Sequence, residues 1–92
     1  MTSDVADKMA TPSPDVLVAH LAGEAVLLNL SDKRYYRLNE SAAFIWKALE
    51  RGDNRDQILA SIVSEYEVDG ATASNQLNDA VRDLVNKGLA SI

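Results

Sequence analysis

The chain contains no cysteine. That excludes a disulfide framework, a thiolate metal site and a cysteine nucleophile. Its single histidine, His20, stands among apolar residues with no second histidine or cysteine to work with. Catalytic and metal sites need such partners, so a structural or surface role is expected for it. The four glycines are isolated from one another, which leaves no glycine-rich loop to cradle a phosphate. Ser31, Ser41 and Ser61 have no base at a spacing that would activate them. Glu65, Glu67 and Asp69 lack the alternating ligands and central glycine of a calcium loop. No apolar run approaches the roughly 18 residues of a membrane span, and no basic segment followed by an apolar run opens the chain as a secretory signal. Basic residues are the minority, 9 Lys and Arg against 14 Asp and Glu, for a formal charge of −5. A general nucleic-acid binder needs the opposite balance, and an anionic membrane is no more attractive a partner. These absences lead us to expect a cytoplasmic protein that is not an enzyme, holds no metal or cofactor, and binds neither nucleic acid nor membrane.

What the chain does have is 47% apolar residues, arranged in clear periodic segments. They suffice for one small core and one domain. Residues 1–14 are polar and carry Pro12 and Pro14; a mobile tail is expected there, with the domain over 15–92. Residues 16–21 and 25–30 read as strands separated by a turn at Gly23 and Glu24, with Val26, Leu28 and Leu30 on one face of the second and Asn29 on the other. After a polar turn at residues 31–33, residues 34–38 read as a third strand, with Tyr36 and Leu38 pointing one way and Tyr35 and Arg37 the other. Short turns make the three an antiparallel meander. At Asn39, a good N-cap, the period changes: Ala42, Ile45, Trp46 and Leu49 fall on one helical face. This helix stops at Gly52. A second opens at Asn54, with Gln57 completing a variant of the capping box, and buries Ile58, Leu59, Ile62, Val63 and Tyr66. A loop over 67–70 leads to a third helix starting near Thr72 or Ser74 and ending before Gly88. Its inner stripe is Leu77, Val81 and Leu84 with Val85 at the edge, and Leu89 folds back on its end. Residues 90–92 can add a short strand.

Three strands followed by three helices make an α+β fold, winged helix-turn-helix-like. The usual work of that shape is DNA binding by the last helix. Here that helix exposes Asn75, Asn78, Asp79, Arg82, Asp83 and Asn86, a poor face for phosphate, so a DNA-binding regulator is only the alternative. The unusual stretch is the third strand, where Lys33, Arg34 and Arg37 gather beside two tyrosines in an acidic chain. Solvated charges on a good strand would explain this. So would function: a meander ends on an unpaired edge, and a peptide can add to it as a further strand. The pocket would lie between the third strand and whichever helix flanks it.

The run YYRLNESAAFIW at residues 35–46, a helix ending in Gly52, the stretch from Ile58 to Tyr66 and a closing Lys87-Gly88-Leu89 resemble the PqqD-like family over about residues 16–92. Its members are peptide-recognition elements of pathways that modify ribosomally made peptides. The resemblance implies a non-catalytic adaptor that binds the leader of a precursor peptide, as a strand beside the third strand and against the third helix, and presents it to a processing enzyme. Carried over by position, the strand contributes Lys33, Arg34, Tyr35, Tyr36, Arg37 and Leu38, and the helix Leu77, Asn78, Val81, Arg82 and Val85. Lys33, Arg34 and Arg37 are expected to meet acidic leader residues. The wording DKRYYRLNESAAFIW is most similar to the stand-alone elements of lasso-peptide pathways. That implies a leader peptidase and an ATP-dependent cyclase as partners, with the adaptor a monomer or weak dimer. The alternative is the pyrroloquinoline quinone branch, a peptide chaperone to a radical enzyme, which tends to carry aliphatic residues where Tyr35 and Tyr36 stand.

Overall fold

Residues 10–92 are described by the computed structural model. In chain order they form β1 (Thr11–Pro12), β2 (Val16–Leu21), β3 (Glu24–Asn29), β4 (Arg34–Leu38), α1 (Glu40–Arg51), α2 (Arg55–Tyr66), α3 (Gly70–Asn86) and β5 (Ala90–Ser91). β2, β3 and β4 are an antiparallel meander in that order, as the sequence implied. Ala22 and Gly23 join β2 to β3, both at positive φ (48° and 90°). Such a two-residue turn matches the twist of the flanking strands and makes Leu21 and Glu24 the closing hydrogen-bonded pair.

The helix signals act as read. Asn39 accepts a hydrogen bond from the Ala42 amide, and Gly52 closes α1 in the left-handed conformation (φ 80°). Asn54 and Gln57 form a reciprocal capping box on α2. α3 begins earlier than expected. Asp69 accepts from the Thr72 amide, which draws Gly70 and Ala71 into the first turn in place of the predicted loop and start near Thr72 or Ser74. At its other end Leu89 folds back, its amide donating to the Leu84 carbonyl at 2.9 Å. Among the described residues no helix is long and apolar enough to cross a membrane.

One expectation is corrected. Of the tail expected over 1–14, residues 1–9 lie outside the described residues, and residues 10–14 are not a tail. β1 pairs antiparallel with β5, Thr11 opposite Ser91 and Pro12 opposite Ala90. The Ser13 amide donates to the Leu89 carbonyl, and Ala10 is buried. Polar composition hid a segment whose backbone is used for pairing. In β3 the expected alternation holds, with Val26, Leu28 and Leu30 on one face and Asn29 on the other. The structure adds that the face toward the helices is Ala25, Leu27 and Asn29, while Val26 and Leu28 are half-buried on the other side and Leu30 is exposed. A one-residue change of face exchanges the two sets. Asn29 tolerates burial because its side-chain oxygen accepts the Ser31 amide and its carbonyl accepts the Lys33 amide.

The core lies between this face and the three helices. Ala25, Leu27 and Leu38 meet Ala43, Ile45, Trp46, Ala48 and Leu49 of α1, Ile58 and Ile62 of α2, and Ala73, Leu77, Val81 and Leu84 of α3. Ala42 is only half-buried, and Val63 faces solvent. Phe44 and Tyr66 stack edge to face at 5.5 Å, tying α1 to α2. Trp46 is buried with its indole N–H unpartnered, a local cost of about 1–3 kcal/mol that its large apolar contact area offsets. The face assignment of β3 is testable by chemical denaturation. Leu27→Ala should cost about 3 kcal/mol and Leu28→Ala under about 1; comparable losses would contradict it.

Candidate functional site

Antiparallel pairs alternate between exchanging hydrogen bonds and not. Since Leu21 and Glu24 exchange theirs, β3 directs the backbone of Ala25, Leu27 and Asn29 toward β4, opposite Leu38, Tyr36 and Arg34. The N–H and C=O groups of Tyr35 and Arg37 therefore point away from the sheet. Among the described residues no strand takes that side of β4. This is an open edge with two residues ready to pair.

α3 runs beside that edge without closing it. Lys87, just past its end, holds its ammonium 5.9 Å from the centre of the Tyr36 ring. Toward the other end of β4 a cleft of about 290 Å³ opens between α1 and α3. Asn39, Ser41, Ala42 and Ile45 line one side, and Gln76, Asp79, Ala80 and Asp83 the other. Its floor is apolar and its rim polar, and Ala42 and Ala80 leave the space because they are small.

The strand residues singled out from the sequence lie together at this edge. Leu38 is buried in the core, Tyr36 half-buried on the same face, and Tyr35 is 73% exposed on the opposite face. Lys33 sits before the strand in the left-handed turn (φ 64°). Arg37 is already engaged: its guanidinium donates twice to Glu24 Oε1, at 2.8 and 3.1 Å. An acidic ligand would have to compete with that pair, so Lys33 and Arg34 are the better-placed cations of the three.

The helix residues fare differently. Leu77 and Val81 are core, 0% and 7% exposed. Asn78, Arg82 and Val85 lie on the far flank, lining with Val81 a separate depression of about 410 Å³ that also involves Arg55, Asn86 and Ile92. The flank toward β4 is Gln76, Asp79, Ala80 and Asp83, continued by Lys87. Of the expected helix residues, Asn78, Arg82 and Val85 thus lie on the flank of the apolar stripe that does not line the cleft beside α1. Such a stripe has two flanks, and only the direction in which α3 docks on the sheet decides which one borders β4. Asp79 and Asp83 also carry ion pairs along the helix surface, to Arg82 at 3.2 Å and Lys87 at 3.0 Å.

Asp32 is a site residue that sequence reasoning missed. One carboxylate oxygen accepts the Arg34 amide at 2.9 Å and the other accepts the Tyr36 hydroxyl at 2.7 Å. The turn thereby fixes the ring that floors the open edge. Only the spacing of Asp32 and Tyr36, with the turn between, could have signalled it. The Tyr36 bond is the main cause holding the Asp32 carboxyl below its ordinary value of 3.8, helped by the Arg34 amide and charge. The same bond raises the Tyr36 hydroxyl above its ordinary 10.0. Among the described residues no group of His, Cys, Asp and Glu is placed to hold a metal ion.

Comparison with known proteins bears on this geometry. The family model described as Coenzyme PQQ synthesis protein D (PqqD) matches residues 24–90. No curated protein matches. The solved structure described as TbiB1 in complex with the TbiA(beta) leader peptide is 38% identical, with a TM-score of 0.83 over 87% of this chain and 93% of that one. A lasso peptide synthetase B1 complexed with the leader peptide is 29% identical, with a TM-score of 0.82 over 90% of this chain and 98% of that one.

The pH response of the turn follows from the two shifts. The folded pKa of Asp32 is lowered, so its contribution is complete above about pH 4 and is lost as pH falls through the folded value. Tyr36 is raised, so its contribution is complete below about pH 10 and is lost as pH rises through its folded value. In Tyr36→Phe the Asp32 midpoint, followed by carboxyl-carbon NMR, should move up toward 3.8. An unchanged midpoint would mean that the hydroxyl is not its cause.

Proposed function

The chain belongs to the PqqD family, and from that premise we propose that it is a non-catalytic adaptor that binds the leader of a ribosomal precursor peptide and presents it to a processing enzyme. The observation that carries this reading is the open β4 edge, with the Tyr35 and Arg37 backbone unpaired beside a cleft against α3. A leader strand laid antiparallel or parallel along β4 takes hydrogen bonds from both residues. Its alternate side chains then enter the cleft or lie outward beside Tyr35 and Arg37. A short added strand with one or two filled pockets supports micromolar binding, on the order of 8 kcal/mol.

The cleft-facing contacts we assign are Tyr36, Leu38, Asp79, Ala80 and Asp83, with Lys33, Arg34 and Lys87 at the basic end. Leu77 and Val81 support the wall from the core. The likeness to two leader-bound proteins, one of them a lasso peptide synthetase B1, favours the lasso-peptide branch, with a leader peptidase and an ATP-dependent cyclase as the partner enzymes, over quinone synthesis. The precursor is made on ribosomes, so the adaptor works in the cytoplasm. A DNA role is disfavoured by the carboxylates Asp79 and Asp83 on α3, both exposed.

The test is a titration of isotope-labelled protein with the leader half of the precursor encoded beside it. Amide shifts should concentrate at Tyr35, Arg37, Asp79, Ala80 and Asp83 and spare Asn78 and Arg82. No shift at saturating peptide would reject the adaptor reading for that peptide. Tyr35→Pro removes an outward N–H without touching the ladder to β3, so it should weaken binding roughly tenfold, one hydrogen bond's worth, with the circular dichroism unchanged. Raising salt from 50 to 200 mM should cost under about tenfold, whereas a DNA complex would lose about 10³ or more.

A further inference from the structure

β2 is the other edge of the sheet, and no strand among the described residues pairs with its outer side. By the alternation that frees Tyr35 and Arg37, the outward backbone groups here belong to Val16, Val18 and His20. The Val16 amide is already used, donating to the Ser13 carbonyl at 3.3 Å. Val18 and His20 keep theirs. Natural edge strands are commonly blunted by charge, proline or a bulge. β4 is flanked by Lys33, Arg34 and Arg37. β2 reads Val-Leu-Val-Ala-His-Leu, with no charged residue except a protonatable histidine and no proline, and it pairs with β3 without a bulge. Its outer side chains Leu17 and Leu21 are 55% and 57% exposed.

We propose that β2 pairs antiparallel with β2 of a second copy of this chain, about a twofold axis through Ala19. The free groups select that register. It sets Val18 against the partner's His20, and each pair exchanges backbone hydrogen bonds through groups that are otherwise unpaired. A register centred on Val18 would need the Val16 amide, which is taken. One centred on His20 would run into the turn at Ala22 and Gly23. About the chosen axis the small Ala19 meets the partner's Ala19, and Leu17 lies beside the partner's Leu21 on the outer face. No charged side chain opposes its like, which matters for a chain of net charge −5. A six-residue strand spans only about 20 Å and buries less than the roughly 1,200 Å² of a stable interface, so the association is weak and concentration-dependent. Both β4 edges stay open at the far ends of the joined sheet, so the pairing is independent of what β4 binds.

The absence of native cysteine makes the test direct. Opposed residues that do not exchange hydrogen bonds have Cα atoms about 4.5 Å apart, within disulfide reach. Under mild oxidation at high protein concentration, Ala19→Cys should become mostly disulfide-linked dimer, while Ser64→Cys, exposed on α2, should stay mostly monomeric. Sedimentation of the unmodified protein should show mass rising from one chain toward two with concentration. L17K/L21K and L17E/L21E should each lose the dimer, and an equimolar mixture of the two should regain it. That regain separates lost pairing from lost folding. Three results would overturn the proposal: a monomer at every concentration, cross-linking of Ala19→Cys no greater than the control, or a dimer indifferent to the charges. A strand of the processing enzyme captured on β2 of a monomeric chain would assign the edge to that partner instead.

Discussion

α1 lies across the Ala25, Leu27 and Leu38 face of the sheet, and its contact with that face constrains the other elements. The chain passes from strand to helix within the span of Leu38, Asn39 and Glu40, so the position of β4 dictates where α1 starts. Asn39 makes the change of direction tolerable by satisfying the Ala42 amide with its side chain and the Ala43 amide with its carbonyl. α1 then presents Ala43, Ile45, Trp46, Ala48 and Leu49, too wide an apolar surface for the sheet alone to cover. α2 and α3 cover the remainder, and Leu89 closes the end of α3 against the same core. Among the described residues no further strand takes either outer edge of the sheet.

The two edges differ in chemistry. β4 is bordered by cations, by a fixed tyrosine ring and by a helix that stands off behind small residues. Tyr36 is held from two sides, by the Asp32 carboxylate at its hydroxyl and the Lys87 ammonium over its face. A ring fixed before the ligand arrives loses little entropy on binding. Arg37, bound to Glu24, stiffens the strand itself rather than reaching outward. β2 has none of these devices. It is apolar, with His20 its one protonatable side chain, as suits an edge proposed to pair with the same strand in another copy.

On the proposed reading, leader recognition by strand addition would ask no reactive side chain of such a small acidic domain. Backbone groups give register, and a cleft between strand and helix gives choice of side chain. The chemistry would then fall to the enzyme proposed to receive the peptide.

Local interactions wrote much of this protein directly into its sequence. Asn39, Gly52, the Asn54 and Gln57 box and Gly88 are capping devices spanning a few residues, and alternation in 34–38 needs only the pleat of a strand. Those elements, the meander and its open β4 edge were legible for that reason. Tertiary structure decided the rest. Val26 and Leu28 look as buriable as Leu27, and only the docking of α1 selects the Ala25, Leu27 and Asn29 face. The stripe of Leu77, Val81 and Leu84 fixes which side of α3 faces the core. Which flank then borders β4, Asp79 and Asp83 rather than Asn78 and Arg82, depends on the direction of packing, which no local pattern encodes. The pairing of Thr11–Pro12 with Ala90–Ser91 joins opposite ends of the chain, and only the closed fold brings those ends within hydrogen-bonding distance.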